Sequence, residues 1–486
     1  MNKKKELRMD YWDKKIPISV PQDTIVPEVS VFPTYKDPIA EVKNALDSPF
    51  GAPPLYELAK NAKGGKVVIA HDDPSRPALP RRIIIALIME ILNEAGINDE
   101  NVFLLSAGGN HPKWPDTHLK NYYGNEIYNR FRLLGSNSRI LSHDCHDLSG
   151  LKYMGISELG DYVEFNILLE EADLFIYCGQ IIPHNWGGYT GTGVVGGLGS
   201  ARSILSTHGF PVVNHKESCH GDPEKMLYRN HKQAIMAQIE KATGKRVFYV
   251  DAILGEGAEI AHVFAGYSPE LNEPTWDTCD KLFTVEVPQA DVFLVGLPRF
   301  VTYGETSNPL ISLAFACTPP RIWRNKHLLR DGGVVIALTR CTGLMDSRAH
   351  PSYSEVLQLY RGCHSYRDLM KYEEEFLHRE DLIFKYRFCH GYAPLHPFWL
   401  LYESEYILNR ASKVIFAGVP STEVHNAPPQ VEGPGGPGAV RDMGCIPTVN
   451  FDDAWKMAEK IAGKNPVVVA CPDFWSTPFR PLFHVI

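Results

Sequence analysis

The chain contains no run of about 18 uninterrupted apolar residues, the length a helix needs to cross a bilayer, so no membrane span is expected. It has no excess of basic residues: 49 Lys and Arg stand against 57 Asp and Glu, a net charge of −8. Nucleic-acid binding rests on Lys and Arg contacts to phosphate, and this balance argues against it. No C-x-x-C pair occurs among the ten cysteines, and no disulfide framework is expected in a chain of this length. The G-x-S-x-G elbow of serine hydrolases is missing, as is the G-x-x-x-x-G-K-[ST] phosphate loop. The opening MNKKKELRMDYWDKK is basic but lacks the apolar core of a signal peptide, so a cytoplasmic protein is expected.

What is present is an ordinary globular composition of 486 residues, 44% hydrophobic and 22% charged. That length suits two large domains or three ordinary ones. Histidine is unevenly placed. Ten of the 19 fall between positions 71 and 231. Imidazole serves proton transfer near neutral pH and metal ligation, so this stretch is where chemistry is sought.

Apolar β-branched runs alternate with helical patterns. KVVIA (66–70), VFLLSA (102–107), RILSHD (139–144), ADLFIYCG (172–179), RVFYVDAIL (246–254) and IAHVFAG (260–266) read as strands. RRIIIALIMEILNEAG (81–96) and HKQAIMAQIEKATG (231–244) read as helices with glycine stops. A second series follows: LFTVEV (282–287), DVFLVGLP (291–298), GGVVIALT (332–339), KVIFAGV (413–419) and PVVVAC (466–471). Near-continuous apolar strands separated by helices imply largely parallel sheets covered on both faces. The expectation is two α/β domains, 1–268 and 280–486, with the site in the cleft between them. YSPELNEPTWD (267–277) reads as the linker, KYEEEFLHRED (371–381) as a solvated helix face, and APPQVEGPGGPGAV (427–440) as a loop.

In open α/β sheets, ligands bind beyond the carboxyl ends of strands. Loops at those ends carry HDDPSRP (71–77), GGNHP (108–112), CHD (145–147) and the segment 183–209. His71, Asp73, Arg76, His111, His143, His184 and His208 are therefore expected to converge on one face. Gly191, Gly193 and Gly196 fit G-x-G-x-x-G, but eight residues separate the strand from the first glycine, which disfavours a nicotinamide site. A phosphate cradle ending at the helix start ARSIL is the reading carried forward, with a structural turn as the alternative. His143-x-x-His146 and the His215, Cys219, His220 group hold ligand types without the spacing of a structural zinc site, so structural roles are expected.

The order of these loops is itself informative. D-D-P-S-R-P (72–77), G-N-H-P (109–112), S-H-D (142–144), I-P-H-N-W-G-G-Y-T-G (182–191) and T-H-G (207–209) together resemble the nickel-pincer-dependent lactate racemase family. The resemblance extends through AHVFAG, QADVFLVGLP and DGGVVIAL, nearly the full length. It implies acid/base roles for His111 and His184 and nickel ligation by His208. It also implies a cofactor site involving Asp73, Arg76, Gly188, Tyr189, Thr190, Gly191 and Thr192. The implied cofactor is a nickel-pincer nucleotide, a pyridinium-derived thiocarboxylate ligand that holds the metal and accepts the substrate's α-hydride.

The family commonly tethers that cofactor through a lysine ten residues after the second histidine; here the position is Val194. A cofactor held without a lysine tether is therefore implied. The family's second-domain lysine has no counterpart in 298–320, where Arg299, Tyr303 and Asn308 are the candidate substrate contacts. The expected activity is a racemase or epimerase, an isomerase of a 2-hydroxy acid larger or more polar than lactate. Two alternatives remain: a metal- or nucleotide-dependent dehydratase or oxidoreductase on the same fold, and a non-catalytic binding relative. The expected partner is a small hydroxy acid, and homo-oligomerisation stays open.

Overall fold

Charged and apolar residues alternate along positions 4–21, and they form an antiparallel hairpin of β1 (Lys4–Trp12) and β2 (Lys14–Pro21), which the reading above did not anticipate. In this computed structural model the residues described are 3–132, 138–183, 193–216, 218, 220–299, 307–361, 363, 365–420, 431–432 and 436–486. The apolar runs of the first half form β3 (Val67–His71), β4 (Val102–Ser106), β5 (Ile140–Ser142), β6 (Leu174–Gln180), β7 (Phe248–Leu254) and β8 (Ile260–Gly266). They lie in the order β8-β7-β6-β3-β4-β5, all parallel except the β7–β8 pair. Those of the second half form β9 (Ala290–Pro298), β10 (Leu329–Leu338), β11 (Lys413–Ala417), β12 (Ile446–Thr448) and β13 (Val468–Cys471).

The second sheet runs β12-β11-β10-β9-β1-β2, with β13 also on β9. β13 pairs with β9 from Val292 to Val295, and β1 takes over at Leu297 and Pro298. The expected 1–268 unit thus includes a hairpin whose strands belong to the other sheet. Met9, Ile18 and Val20 reach its core, and that burial holds the hairpin there.

Helices that pack on these sheets include α1 (Ala78–Glu94), α2 (Gly193–Leu198), α3 (Ala201–His208), α4 (Leu227–Thr243), α5 (Asn272–Phe283), α6 (Pro309–Cys317) and α7 (His396–Arg410). Val67 and Ile69 of β3 enter one core cluster with Ile84, Ile88 and Leu92 of α1. Val68 and Ala70 enter another with Ile235 and Ile239 of α4. The strand is buried on both faces, as a continuous apolar run requires. A third cluster crosses between the halves, joining Ile204 and Val213 to Leu401 and Tyr402 of α7.

Three local expectations are corrected. The 267–277 linker is helical from Asn272, because Pro274 sits in the first turn, where its missing N–H costs nothing. Thr275, Cys279 and Phe283 then recur every four residues on a buried stripe. The 371–381 segment takes in the end of one helical turn, the short helix Glu373–Leu377 and the start of the helix Glu380–Phe388, and Phe376 and Leu377 are buried rather than solvated. Within 427–440, Gly436–Asp442 is a helix, and 427–430 and 433–435 lie outside the described residues.

The glycines 193–199 serve a structural purpose. They form α2, which lies directly against the loop after β4: Gly109 N–H donates to Gly197 C=O at 2.9 Å. A Cβ on Gly197 would stand 2.7 Å from Ala107 Cβ and 2.8 Å from its carbonyl oxygen. Gly197→Ala is therefore expected to destabilise the protein by about 1–3 kcal/mol through overpacking. A urea unfolding midpoint unchanged from the parent would refute this. Among the described residues no helix is long and apolar enough to cross a membrane.

Candidate active site

The carboxyl ends of β3 and β4 place two expected residues together. Asp73 follows β3, and His111 sits in the turn after β4, with its Nδ1 3.0 Å from Asp73 Oδ2. A carboxylate accepts only, so Nδ1 carries the proton and Nε2 holds the lone pair. Burial alone would raise the Asp73 carboxyl. His111, the Ser75 N–H at 2.6 Å and Arg76 outweigh it and hold the group well below the usual carboxylate range. Arg76 is half-buried, and its N–H closes the turn onto Asp73 C=O at 2.9 Å.

His71 and His143 are built into the frame instead. His71 Nδ1 donates to Asp72 C=O at 2.7 Å, and its Nε2 meets the Tyr123 hydroxyl. His143 Nε2 donates to Gly199 C=O at 2.9 Å, tying the loop after β5 to the end of α2. Burial pushes both rings down to about 4, so both are neutral near pH 7.

His208 is the last residue of α3. Its Nδ1 lies 3.1 Å from Ile204 C=O, one turn back, which fixes the proton on Nδ1 and leaves Nε2 as the acceptor. The Tyr228 hydroxyl donates to that Nε2 at 2.7 Å. Burial, and then the Lys232 ammonium, hold the imidazole well below its ordinary value. Lys232 itself is buried under α2 with its Nζ 4.5 Å from the Tyr228 ring centroid; burial and Arg229 push it down to about 7.

His111 and His208 both face α7. His396, Trp399, Glu403 and Tyr406 recur at helical spacing along one side of this buried helix. The His396 ring stands 5.3 Å from His111 and Trp399 5.1 Å from His208, centroid to centroid. Just before the helix, Tyr392 lies 5.3 Å from His111 and stacks on His350 at 5.1 Å. Ala393 N–H donates to Asn110 C=O at 2.9 Å, and the Tyr386 hydroxyl donates to Gly109 C=O at 3.2 Å, pinning the His111 turn to the second half. Sequence reading missed His350, Tyr392, His396 and Trp399. The signal was CHGYAPLHPFW (389–399), two histidines among aromatics at a helix start.

Other expected residues fare differently. His184, Gly188, Tyr189, Thr190, Gly191 and Thr192 lie outside the described residues, as does Tyr303. The helix start at ARSIL is already occupied: Ser200 Oγ accepts from Ser203 N–H at 3.2 Å, and Ala201 N–H donates to Cys145 C=O at 2.9 Å. Few donors remain there for a phosphate. Asn308 caps α6 through Oδ1, accepting from Leu310 N–H at 3.1 Å. Arg299 is exposed and stacks over Trp12 at 5.7 Å. Among the described residues no group of three or more His, Cys, Asp or Glu side chains is arranged to hold a metal.

Residues 11–221 match the model of the family described as Lactate racemase N-terminal domain. The chain is 25% identical to the lactate racemase of Thermoanaerobacterium thermosaccharolyticum over 346 residues, 69% of this chain and 74% of that protein. Its fold is similar to the lactate racemase apoprotein of that organism, with a TM-score of 0.70 at 20% identity, covering 99% of this chain and 100% of that one. It is also similar to a crystal structure of a Thermotoga maritima protein, with a TM-score of 0.54 at 13% identity, over 92% and 98% of the two chains. The expected α/β architecture with largely parallel sheets agrees with these folds.

Proposed function

Starting from this likeness to a lactate racemase, we propose that the chain is an isomerase that racemises or epimerises a 2-hydroxy acid larger or more polar than lactate. The observation that carries the reading is the Asp73–His111 contact at 3.0 Å, held on the same wall of α7 as His208. The proposed reaction lies between the unit built on the first sheet and the unit built on the second, to which the 4–21 hairpin belongs.

A nickel-pincer nucleotide, when bound, would supply the acceptor for the substrate's α-hydride. His208 fits such a group. One neutral imidazole with its Nδ1 proton committed to Ile204 presents a single nitrogen lone pair, suited to a metal whose other donors come with a cofactor. Tyr228 must then release Nε2. Lys232, beside the Tyr228 ring and beneath α2, is placed to balance negative charge of the nucleotide without a lysine tether at Val194.

An alcohol proton is too tightly held to leave without a positioned base, and inversion needs a base on each face of the carbon. His111 takes or returns the hydroxyl proton at Nε2, while Asp73 orients the ring and stabilises its charged form. His184 is proposed for the opposite face, on the resemblance alone. Arg76 offers a fixed cation to a carboxylate or phosphate.

The test is interconversion of the two configurations at the α-carbon, followed by chiral chromatography across a panel of 2-hydroxy acids, with nickel per chain measured on the same preparation. Inversion accompanied by stoichiometric nickel is expected, with the α-hydrogen retained in deuterated water because it moves as a hydride; no inversion of any acid by the nickel-loaded protein would overturn the reading. His208→Ala should retain about tenfold less nickel after desalting, or worse. Retention at the parent level would remove His208 from the metal site.

A further inference from the structure

Around His111, four buried polar atoms on three residues have no hydrogen-bond partner among the described residues: Asn110 Nδ2, both ring nitrogens of His350, and Trp399 Nε1. Their residues are 7%, 1% and 3% exposed. An orphaned polar group is costly if nothing meets it, and buried polar groups are almost always satisfied. Three such costs within one connected cluster therefore need a cause.

The cluster is continuous. Asn110 precedes His111 and accepts from Ala393 N–H; Tyr392 lies between the His111 and His350 rings; His396 touches both His111 and Tyr392; and Trp399 lies one turn along, against His208. The peptides of this segment are bonded on both sides, since Tyr392 N–H also donates to Ala349 C=O at 2.8 Å. The groups are thus held by backbone contacts that do not use their own side-chain donors and acceptors. This is the arrangement of a preformed recognition surface.

We propose that Asn110, His350 and Trp399 form a subsite, walled by Tyr392 and His396, that binds hydroxyl groups on the substrate carbons beyond the reacting one. The substrate class is then a polyhydroxylated 2-hydroxy acid. The inference rests on the racemase reading for where the reacting carbon lies.

The chemistry of the donors selects that class. The amide nitrogen and the indole N–H donate, while His350 offers one donor and one acceptor. A hydroxyl answers both needs, because it donates once and accepts twice. An alkyl tail would leave every group orphaned. A second carboxylate could not satisfy the imidazole acceptor. Burial pushes His350 down to about 4, so its ring is uncharged near neutral pH.

The experiment is calorimetric titration of the nickel-loaded protein with threonate, 2-hydroxybutyrate and malate. These are four-carbon 2-hydroxy acids carrying two further hydroxyls, none, or a second carboxylate. Threonate should bind at least about tenfold more tightly than 2-hydroxybutyrate, the penalty expected when buried polar groups stay unpaired. His350→Leu should erase that preference while leaving 2-hydroxybutyrate affinity unchanged, and Trp399→Phe, which removes only the N–H, should reduce it. Circular dichroism and melting temperature confirm that each variant folds.

Equal affinity for threonate and 2-hydroxybutyrate would overturn the subsite, as would tighter binding of malate, or no binding of any of the acids. An equal loss for all acids in His350→Leu would overturn it too. Inversion at the α-carbon, followed by chiral chromatography of the same samples, separates the two readings. Inversion without a threonate preference keeps the racemase and removes the subsite. A threonate preference without inversion does the reverse.

Discussion

Replacing His111 by alanine is expected to lower turnover by about 10²–10⁴-fold, the usual contribution of a positioned acid/base group. The ring is not a core element: its side chain is 18% exposed, and its turn is held by Gly109 N–H to Gly197 C=O, the Tyr386 hydroxyl to Gly109 C=O and Ala393 N–H to Asn110 C=O, all of which the substitution leaves intact. The melting temperature should therefore change little while kcat falls. Asp73→Asn offers a sharper comparison. The amide nearly preserves shape but can no longer pair as an anion with a charged ring, and it can hold the wrong tautomer. Its effect should fall on kcat rather than KM, because His111 Nε2 still reaches the substrate. A His111→Ala variant with parental kcat would eliminate the proposed base. An Asp73→Asn variant that raised only KM would reassign Asp73 to binding.

Much of this arrangement was legible before any coordinates. β3 and β4 are buried on both faces, so their apolar runs were continuous, and a polar loop after each run had to lie at the sheet's ligand-binding edge. That logic placed Asp73 and His111 together. His71 and His143, expected at the same strand ends as supports for the acting groups, each bond a neighbouring carbonyl. The glycines of α2 carried two meanings at once. A phosphate cradle and a close helix–loop contact both require the absence of Cβ, and only coordinates separate them: Gly193 and Gly197 lie against Tyr177 and Ala107.

The second half of the site was hidden for a different reason. Residues 396–407 of α7 are all buried, so no hydrophobic periodicity marks which face meets His111. The N-terminal hairpin was hidden by its charge, because lysines on an outer strand protect the edge of a sheet and mask the alternating pattern.

Breaking the ion pair between Arg321 and Glu403 should be the most damaging change to stability, about 3–5 kcal/mol for removal of either partner alone. Both side chains are 1% exposed, with the guanidinium 3.0 Å from the carboxylate. Arg321 also donates to Val213 C=O and to His220 Nε2, each at 2.7 Å, and packs over the Tyr406 ring at 4.1 Å. A single replacement leaves the other charge buried without its counter-charge. Arg321→Met combined with Glu403→Leu should recover most of the loss, since neither charge is then stranded. Urea unfolding of the two single variants and the double variant closes the cycle; a double variant as unstable as either single one would rule out the pairing argument. The consequence reaches the proposed chemistry. Val213 lies five residues beyond His208, and Glu403 seven residues beyond His396 on the same side of α7. The pair therefore holds the metal-ligand candidate against the helix that faces His111. The single variants should lose nickel retention along with stability, and the double variant should regain both, because the clasp acts through position rather than through charge at the reacting carbon.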